Sequence, residues 1–217
     1  MRWYRQFEGR FFILFALLLL TIVSLPFIRD NRIILTIAFL LVPLAGIYAA
    51  SYNKLRLVIA IIIGIPAIVT GTVFNLRLGL VPPTVSHLSG VAFYAFTTVT
   101  VLEFVLRQTR ITRDTVYGAL SVYMLLAFTW AFGYWTIDEI VPGSFAVSTA
   151  HDPDGIVDTI DFFYYSFVTL TTLGYGDIVP VTAQARTIAL LEAVCGVLFT
   201  GTLVASLVGR MSTRSVE

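Results

Sequence analysis

The seven residues Thr171–Asp177 have the types and the spacing needed to bind a dehydrated cation through the backbone. A cation that leaves water needs a cage of oxygen atoms, and backbone carbonyls can supply it only where successive carbonyls point the same way. A regular strand alternates its carbonyls, so this segment has to adopt left-handed backbone angles, which glycine does without steric cost. We therefore expect Gly174 and Gly176 to turn carbonyls toward one axis, while the side chains of Leu173 and Tyr175 point away into supporting protein.

The run Thr-Leu-Gly-Tyr-Gly-Asp at 172–177 resembles the selectivity-filter signature of potassium channels. The resemblance implies K⁺ as the permeant ion, bound by backbone carbonyls and the Thr172 hydroxyl, and it implies no cofactor. The family closes its filter from four copies of this segment. Because this chain carries a single such motif, a homotetramer is implied. The implied ion-binding residues are Thr172, Leu173, Gly174, Tyr175 and Gly176, with K⁺ held at the first four.

The residues around the motif predict a loop that enters the membrane and returns. An aromatic-rich run over 161–170 precedes it and is too short to span a bilayer, and a long apolar run over 183–208 follows it. A short helix, a glycine-containing loop and a spanning helix form a re-entrant pore loop, which is tolerated at membrane depth because it lines an aqueous path. We predict a pore helix at about 160–171, a filter at 172–177 and an inner helix at 183–208.

The composition is that of an integral membrane protein. Of the 217 residues, 58% are hydrophobic and 12% are charged, about half the charge of a soluble domain, and the mean hydropathy is +0.89. A spanning helix needs about 20 apolar residues. We therefore predict an all-α membrane fold with six transmembrane helices plus the re-entrant pore helix and filter loop. The six apolar windows are 11–28, 33–50, 55–74, 85–106, 116–137 and 183–208.

The basic residues predict the orientation of the chain in the membrane. Lys and Arg are enriched in cytoplasmic loops, and with six spans both termini lie on one side. That side carries ten of the fourteen basic residues, so both termini are expected in the cytoplasm and the pore loop opens outward from the cell membrane. The ten are Arg2, Arg5, Arg10, Lys54, Arg56, Arg107, Arg110, Arg113, Arg210 and Arg214.

The order of the spans predicts a four-helix bundle over 1–110, a pore domain over 111–210 and a short cytoplasmic tail at 211–217, without a cytosolic regulatory domain. In the voltage-gated members of the family that the filter resembles, the fourth helix carries arginines every third residue. The fourth span here, 85–106, has none. One charge crossing the membrane gains about 2.3 kcal/mol per 100 mV, so we expect weak voltage dependence.

Three arginines at the cytoplasmic end of the fourth span, Arg107, Arg110 and Arg113, allow two interpretations. They could form a residual voltage sensor, or they could anchor the chain to anionic lipid headgroups, which we favour. Glu103 lies one helical turn before Arg107, so an i,i+4 ion pair near the interface is expected.

The predicted support for the filter comes from polar residues on both sides of it. Two tyrosines occupy positions where the family usually has tryptophan, and their hydroxyls are expected to bond around Tyr175. Val168 stands where some bacterial members have a glutamate, so Asp177 is left to pair with a pore-helix tyrosine or with water. The predicted support residues are Asp177, Tyr164, Tyr165 and Thr171.

The inner helix carries one candidate for a gating hinge, Gly196, and two polar candidates, Glu192 and Thr200. Gly196 lies where the family places a hinge glycine, although close helix packing at Gly196 and Gly201 explains it equally well. Glu192 is costly in lipid and must face the pore cavity or a neighbouring helix. Thr200 is a polar residue that could line the inner path.

The function expected from the sequence is passive, K⁺-selective conduction. The alternatives are a non-selective monovalent cation channel and a non-conducting membrane subunit or sensor. An enzyme is excluded, since His87 and His151 are distant and Cys195 has no catalytic partner. A net charge of +1 leaves no nucleic-acid footprint. The acidic outer loop 138–161 is expected to concentrate cations at the mouth, and a divalent site within it is left open.

Overall fold

The computed structural model describes residues 9–28, 31–108, 111–148 and 157–212. Within these ranges, six helices are long and apolar enough to cross a membrane, and a seventh, α6, has only 12 residues. The chain is an all-α integral membrane protein. Its helices are α1 (Arg10–Ile28), α2 (Arg32–Ala50), α3 (Lys54–Asn75), α4 (Pro83–Arg107), α5 (Arg113–Ile140), α6 (Thr159–Leu170) and α7 (Ala183–Ser212), and its two short strands are β1 (Phe145–Val147) and β2 (Ile178–Pro180).

Side-chain caps fix where several helices begin. Asn31 accepts hydrogen bonds from the first amides of α2 at 3.2 Å, and Asn53 does the same for α3 at 2.9 and 3.3 Å. Thr112 and Thr115 form a reciprocal capping box at the start of α5. These caps satisfy amides that have no partner inside the helix. Asn31 and Asn53 thereby fix the residues at which α2 and α3 begin.

The core of the bundle continues into the pore region without a boundary. Phe93 and Tyr94 of α4 are buried with Phe128 of α5 in one cluster, and this cluster includes Phe163 of α6. The rings of Phe128 and Phe163 lie 4.9 Å apart edge to face, and those of Tyr94 and Phe132 stack at 5.2 Å. The helical bundle therefore packs directly against the back of α6.

A carboxylate and two arginines form paired salt bridges at the end of the bundle that was predicted to be cytoplasmic. The carboxylate of Glu103 accepts from Arg107 at 2.7 Å, which confirms the i,i+4 pair, and it also pairs with Arg56 of α3, which the sequence did not indicate. Arg113 is exposed at the start of α5, and Arg110 lies outside the described residues. Arg107 is the only basic residue in α4, so α4 has no row of charges to move through the membrane.

The packing of α4 on α5 predicts opposite effects for two glycine substitutions in the bundle. A Cβ at Gly90 would lie 2.7 Å from Cδ1 of Phe132, whereas a Cβ at Gly71 of α3 would meet no atom within 4 Å. Overpacking costs about 1–3 kcal/mol, while alanine gains about 1 kcal/mol over glycine in a helix. Gly90→Ala should lower the thermal unfolding temperature of the purified protein, and Gly71→Ala should leave it unchanged or raise it. Equal stability of the two variants would contradict this packing.

Candidate functional site

The short helix α6 begins with a capping box built from two acids of the outer loop. Asp158 accepts from the amides of Ile160 and Asp161 at 2.8 and 3.1 Å, and Asp161 accepts from the amide of Asp158 at 2.8 Å. Carboxylates at a helix N-terminus also interact favourably with the helix dipole. His151, with Asp152 and Asp154, lies outside the described residues. Among the residues that are described, no group of three metal-ligating side chains occurs.

The C-terminal end of α6 holds the first residues of the filter. The amide of Thr171 donates to Phe167 and that of Thr172 donates to Thr169, both at 3.0 Å, and the amide of Leu173 donates to Val168 at 2.9 Å. The Thr171 hydroxyl adds a bond of 2.7 Å to Phe167. The last carbonyls of α6 are thereby satisfied, and the chain leaves the helix in a fixed direction.

The backbone of the predicted filter, residues 172–177, alternates between positive and negative φ. Gly174 and Gly176 have φ of +55° and +77°, as expected, and Thr172 also lies in this region, with φ of +59°. Leu173 and Tyr175 between them keep negative φ. The sequence did not predict the angle of Thr172, and a non-glycine residue held there costs about 1–3 kcal/mol. The positive φ of Thr172 could have been inferred only by extending the two-residue spacing of Gly174 and Gly176 back to position 172.

The bulky filter side chains find little support within one chain. Leu173 is 53% exposed and Tyr175 is 67% exposed, although the sequence analysis expected both to point into supporting protein. Thr172 faces a surface cavity of about 300 Å³ that it shares with Ala193, Val194, Val197 and Leu198 of α7. The filter and one face of the inner helix therefore form a continuous open surface.

A two-stranded ladder anchors the other end of the filter. Strands β1 and β2 pair antiparallel with Ala146 opposite Val179, and the amide of Ser148 donates to the carbonyl of Asp177 at 2.8 Å. The amide of Ser144 donates to Asp138 at the end of α5, at 2.9 Å. These bonds connect the segment after the filter to α5. Neither strand was predicted from the sequence, because three residues are too few for an alternating pattern.

The two pore-helix tyrosines have different partners, and this corrects the predicted bracing of Tyr175. The Tyr164 hydroxyl donates to the Asp177 carboxylate at 2.6 Å, which is one of the two pairings that the sequence left open for Asp177. Tyr165 is buried, with its ring 5.0 Å from that of Tyr134 and 5.4 Å from that of Phe145. Successive residues of a helix point about 100° apart, so the pair cannot face the filter together.

Glu192 faces neighbouring helices rather than an open cavity. Its side chain has no exposed surface. The Tyr134 hydroxyl of α5 donates to one carboxyl oxygen, and Ser166 Oγ of α6 lies 2.5 Å from the other. These partners are 58 and 26 residues away in sequence, so only the fold could reveal them.

Gly196 is the point where α7 touches the end of α6. A Cβ at this position would overlap the carbonyl of Leu170, whereas a Cβ at Gly201 would meet no atom within 4 Å. The Leu170 carbonyl also accepts from the Tyr123 hydroxyl at 3.2 Å. Within the described chain, close packing therefore explains the glycine at 196 but not the glycine at 201. Thr200 is exposed, and its hydroxyl bonds the Gly196 carbonyl at 2.9 Å.

Known proteins resemble the part of the chain that contains this site. The family model described as "Ion channel" matches residues 114–213. The chain is 30% identical over 82 residues to the inward rectifier potassium channel Kirbac3.1 of Paramagnetospirillum magnetotacticum, covering 36% of this chain and 23% of that protein. It is 35% identical over 69 residues to two-pore potassium channel 1 of Arabidopsis thaliana, covering 32% and 16%. No solved structure matches the chain.

Through this segment the chain is similar to the ion-channel family and to two proteins named as potassium channels. The predicted filter, α6, α7 and all but the first residue of α5 lie inside the matched residues, whereas α1 to α4 lie outside them. The two matched proteins are both named as potassium channels, and the chain spans less than a quarter of the length of each of these curated relatives.

The contact between Gly196 and Leu170 predicts that alanine is harmful at one inner-helix glycine and tolerated at the other. A methyl group at 196 meets a backbone carbonyl that cannot rotate away, so Gly196→Ala should displace the end of α6 and the filter that follows it. We expect ion flux in liposomes to fall about tenfold or more, corresponding to at least 1.4 kcal/mol. Gly201→Ala is the matched control and should stay near wild type. Equal flux in the two variants would contradict the contact.

Proposed function

We propose that the chain forms a K⁺-selective pore that conducts K⁺ passively across the cell membrane as a homotetramer. The observation that carries the proposal is the alternation of φ at Thr172, Gly174 and Gly176. Alternating handedness turns successive peptide groups to the same side, so the carbonyls of Thr172 to Tyr175 can line one axis. A ring of such carbonyls replaces the hydration shell of K⁺, and repulsion between ions in adjacent sites offsets tight binding.

The surroundings of the filter support cation conduction. The C-terminal end of α6 carries the partial negative charge of the helix dipole, and it lies directly before Thr172, where it favours a cation. The Tyr164–Asp177 bond and the β1–β2 ladder hold the opposite end of the filter. We infer that the roles of Tyr164 and Thr171 are structural, because each bonds a neighbour and neither is needed to contact the ion.

Four copies are proposed because one chain supplies only one wall of the cage. Leu173 and Tyr175 are more than half exposed, and so are Val197 and Leu198 on the adjoining face of α7. A filter held only by its own chain would leave these apolar groups beside the conduction path. Neighbouring copies would cover them, and they would complete the ring of carbonyls around the axis.

Selectivity for K⁺ over other monovalent cations is proposed from the intact Gly-Tyr-Gly segment. The two relatives are both named potassium channels, which supports the same ion here. The proposed division is a helical bundle over 1–110 and a pore domain over 111–210, with both termini in the cytoplasm. We further propose that Arg107 and Arg113, both exposed, contact anionic lipid headgroups.

A pair of glycine substitutions tests the filter directly. Gly174→Ala places a Cβ on a residue with φ of +55°, inside the filter, whereas Gly143→Ala does so at φ of +80° in the outer loop, with no atom within 4 Å in either case. Both variants carry a similar backbone cost, about 1 kcal/mol or more, but only one changes the filter. In liposomes, Gly174→Ala should abolish K⁺-selective flux and Gly143→Ala should retain it. Selective flux in Gly174→Ala would refute the assignment, and wild-type protein that passes K⁺ and Na⁺ equally would refute selectivity.

The single basic residue of α4 predicts weak voltage dependence. Arg107 already lies at the end of the helix, paired with Glu103, so α4 carries no buried charge across the field. We expect the open probability in planar bilayers to change less than e-fold per 25 mV, the response to about one elementary charge. Arg107→Gln should leave this slope unchanged. A steep slope in the wild type that is lost in Arg107→Gln would identify a voltage sensor instead.

A further inference from the structure

Three buried side chains join the helices of the pore region at one point. Glu192 of α7, Ser166 of α6 and Tyr134 of α5 each have no exposed surface. Tyr134 bonds one carboxyl oxygen of Glu192, and Ser166 Oγ lies 2.5 Å from the other. Ser166 Oγ also lies 2.8 Å from the carbonyl oxygen of Ala127 on α5. The group therefore holds three close oxygen–oxygen contacts in a region closed to solvent.

Counting hydrogens decides how these contacts can all be hydrogen bonds. Three bonds need three hydrogens. Tyr134 and Ser166 supply one each, and the carbonyl of Ala127 supplies none. Because that carbonyl can only accept, Ser166 must donate to it. The contact between Ser166 and Glu192 then has a hydrogen only if the carboxyl group itself carries one.

Among the described residues, none that faces Glu192 carries a charge that would stabilise a carboxylate. The titratable side chains that face it are tyrosines, namely Tyr134 and Tyr123 from α5 and Tyr165 from α6. On its own helix, Arg186 is exposed more than one turn away. The ion pairs between two residues of the described ranges are Glu103–Arg56 and Glu103–Arg107, and neither includes Glu192. An ionised carboxylate without a cation is very costly in a dry interior.

We propose that Glu192 is a neutral carboxylic acid that donates a hydrogen bond to Ser166 and so positions the pore helix against the inner and outer helices. The proton sits on the oxygen near Ser166, and the other oxygen is a carbonyl that accepts from Tyr134. Loss of the proton would leave two hydrogens for three contacts, so Ser166 could donate either to Glu192 or to the Ala127 carbonyl but not to both. One of the contacts that join α6 to α7 and α5 would then be lost. The inferred protonation state does not depend on the proposed function. The effect of Glu192 on conduction does rest on that function.

Infrared spectroscopy of the protein in liposomes at neutral pH tests the protonation state. The wild type should show a carboxylic acid C=O band that is absent from Glu192→Gln. Glu103→Gln is the matched control, since Glu103 is paired with two arginines; it should keep that band and lose carboxylate bands. A carboxylate loss in Glu192→Gln, with no change in the carboxylic acid region, would overturn the proposal.

A second variant tests which oxygen carries the proton. Tyr134→Phe removes the donor to the carbonyl oxygen of the acid, so the C=O band should remain and move to higher frequency. If the band instead stayed at the wild-type frequency, the proposed arrangement would be wrong.

The effect on conduction is measured as K⁺ flux by the same liposomes. Glutamine can accept from Tyr134 and donate to Ser166, so Glu192→Gln should assemble normally and keep flux within about twofold of wild type. Glu192→Ala loses the bonds and leaves a cavity, so its flux should fall about tenfold or more. Failure of Glu192→Gln to assemble, or flux as low as that of Glu192→Ala, would contradict a neutral acid. If the wild type passed no K⁺, the proposed function would fail and the infrared result would still decide the protonation state.

Discussion

The arrangement around the predicted filter depends on one backbone constraint, which is the alternation of positive and negative φ from Thr172 to Gly176. Two of the three left-handed positions are glycines, where this conformation has no steric cost, and the third, Thr172, is held at φ of +59°. Such a residue persists only where its surroundings over-determine it. At the start of the filter, the α6 carbonyls bind the amides of Thr172 and Leu173. At its end, Asp177 is bound by Tyr164 and Ser148.

The helices behind the filter are held together both by close packing and by hydrogen bonds. Lipid provides no hydrophobic driving force between helices, so close packing and hydrogen bonds must hold them together. Here the absence of a side chain at Gly196 lets α7 approach the Leu170 carbonyl, and the Glu192 group connects α7 to α6 and α5. The aromatic core around Phe163 extends this packing into the bundle. The position of α6, and with it the filter, is thus fixed on several sides.

Much of this arrangement is readable from the sequence, since local patterns encode it. Apolar windows between charges gave the spans, the glycine spacing gave the left-handed positions 174 and 176, and i,i+4 spacing gave the Glu103–Arg107 pair. Two failures were local, namely the angle of Thr172 and the two three-residue strands. The others involve distant residues. The split roles of Tyr164 and Tyr165 depend on where α5 and the ladder lie, and the choice between cavity and neighbouring helix for Glu192 depended on Tyr134, 58 residues away. Nothing local marked Arg56 as a partner of Glu103.

The most direct test of the account is the reversal potential of the wild-type protein in a planar bilayer with K⁺ on one side and Na⁺ on the other. In the proposed homotetramer, a ring of carbonyls from four copies of Thr172–Tyr175 would replace the hydration shell of K⁺. The proposal therefore predicts a large reversal potential of the sign that K⁺ selectivity requires. A reversal potential near zero, which means equal permeability to both ions, would contradict the central claim.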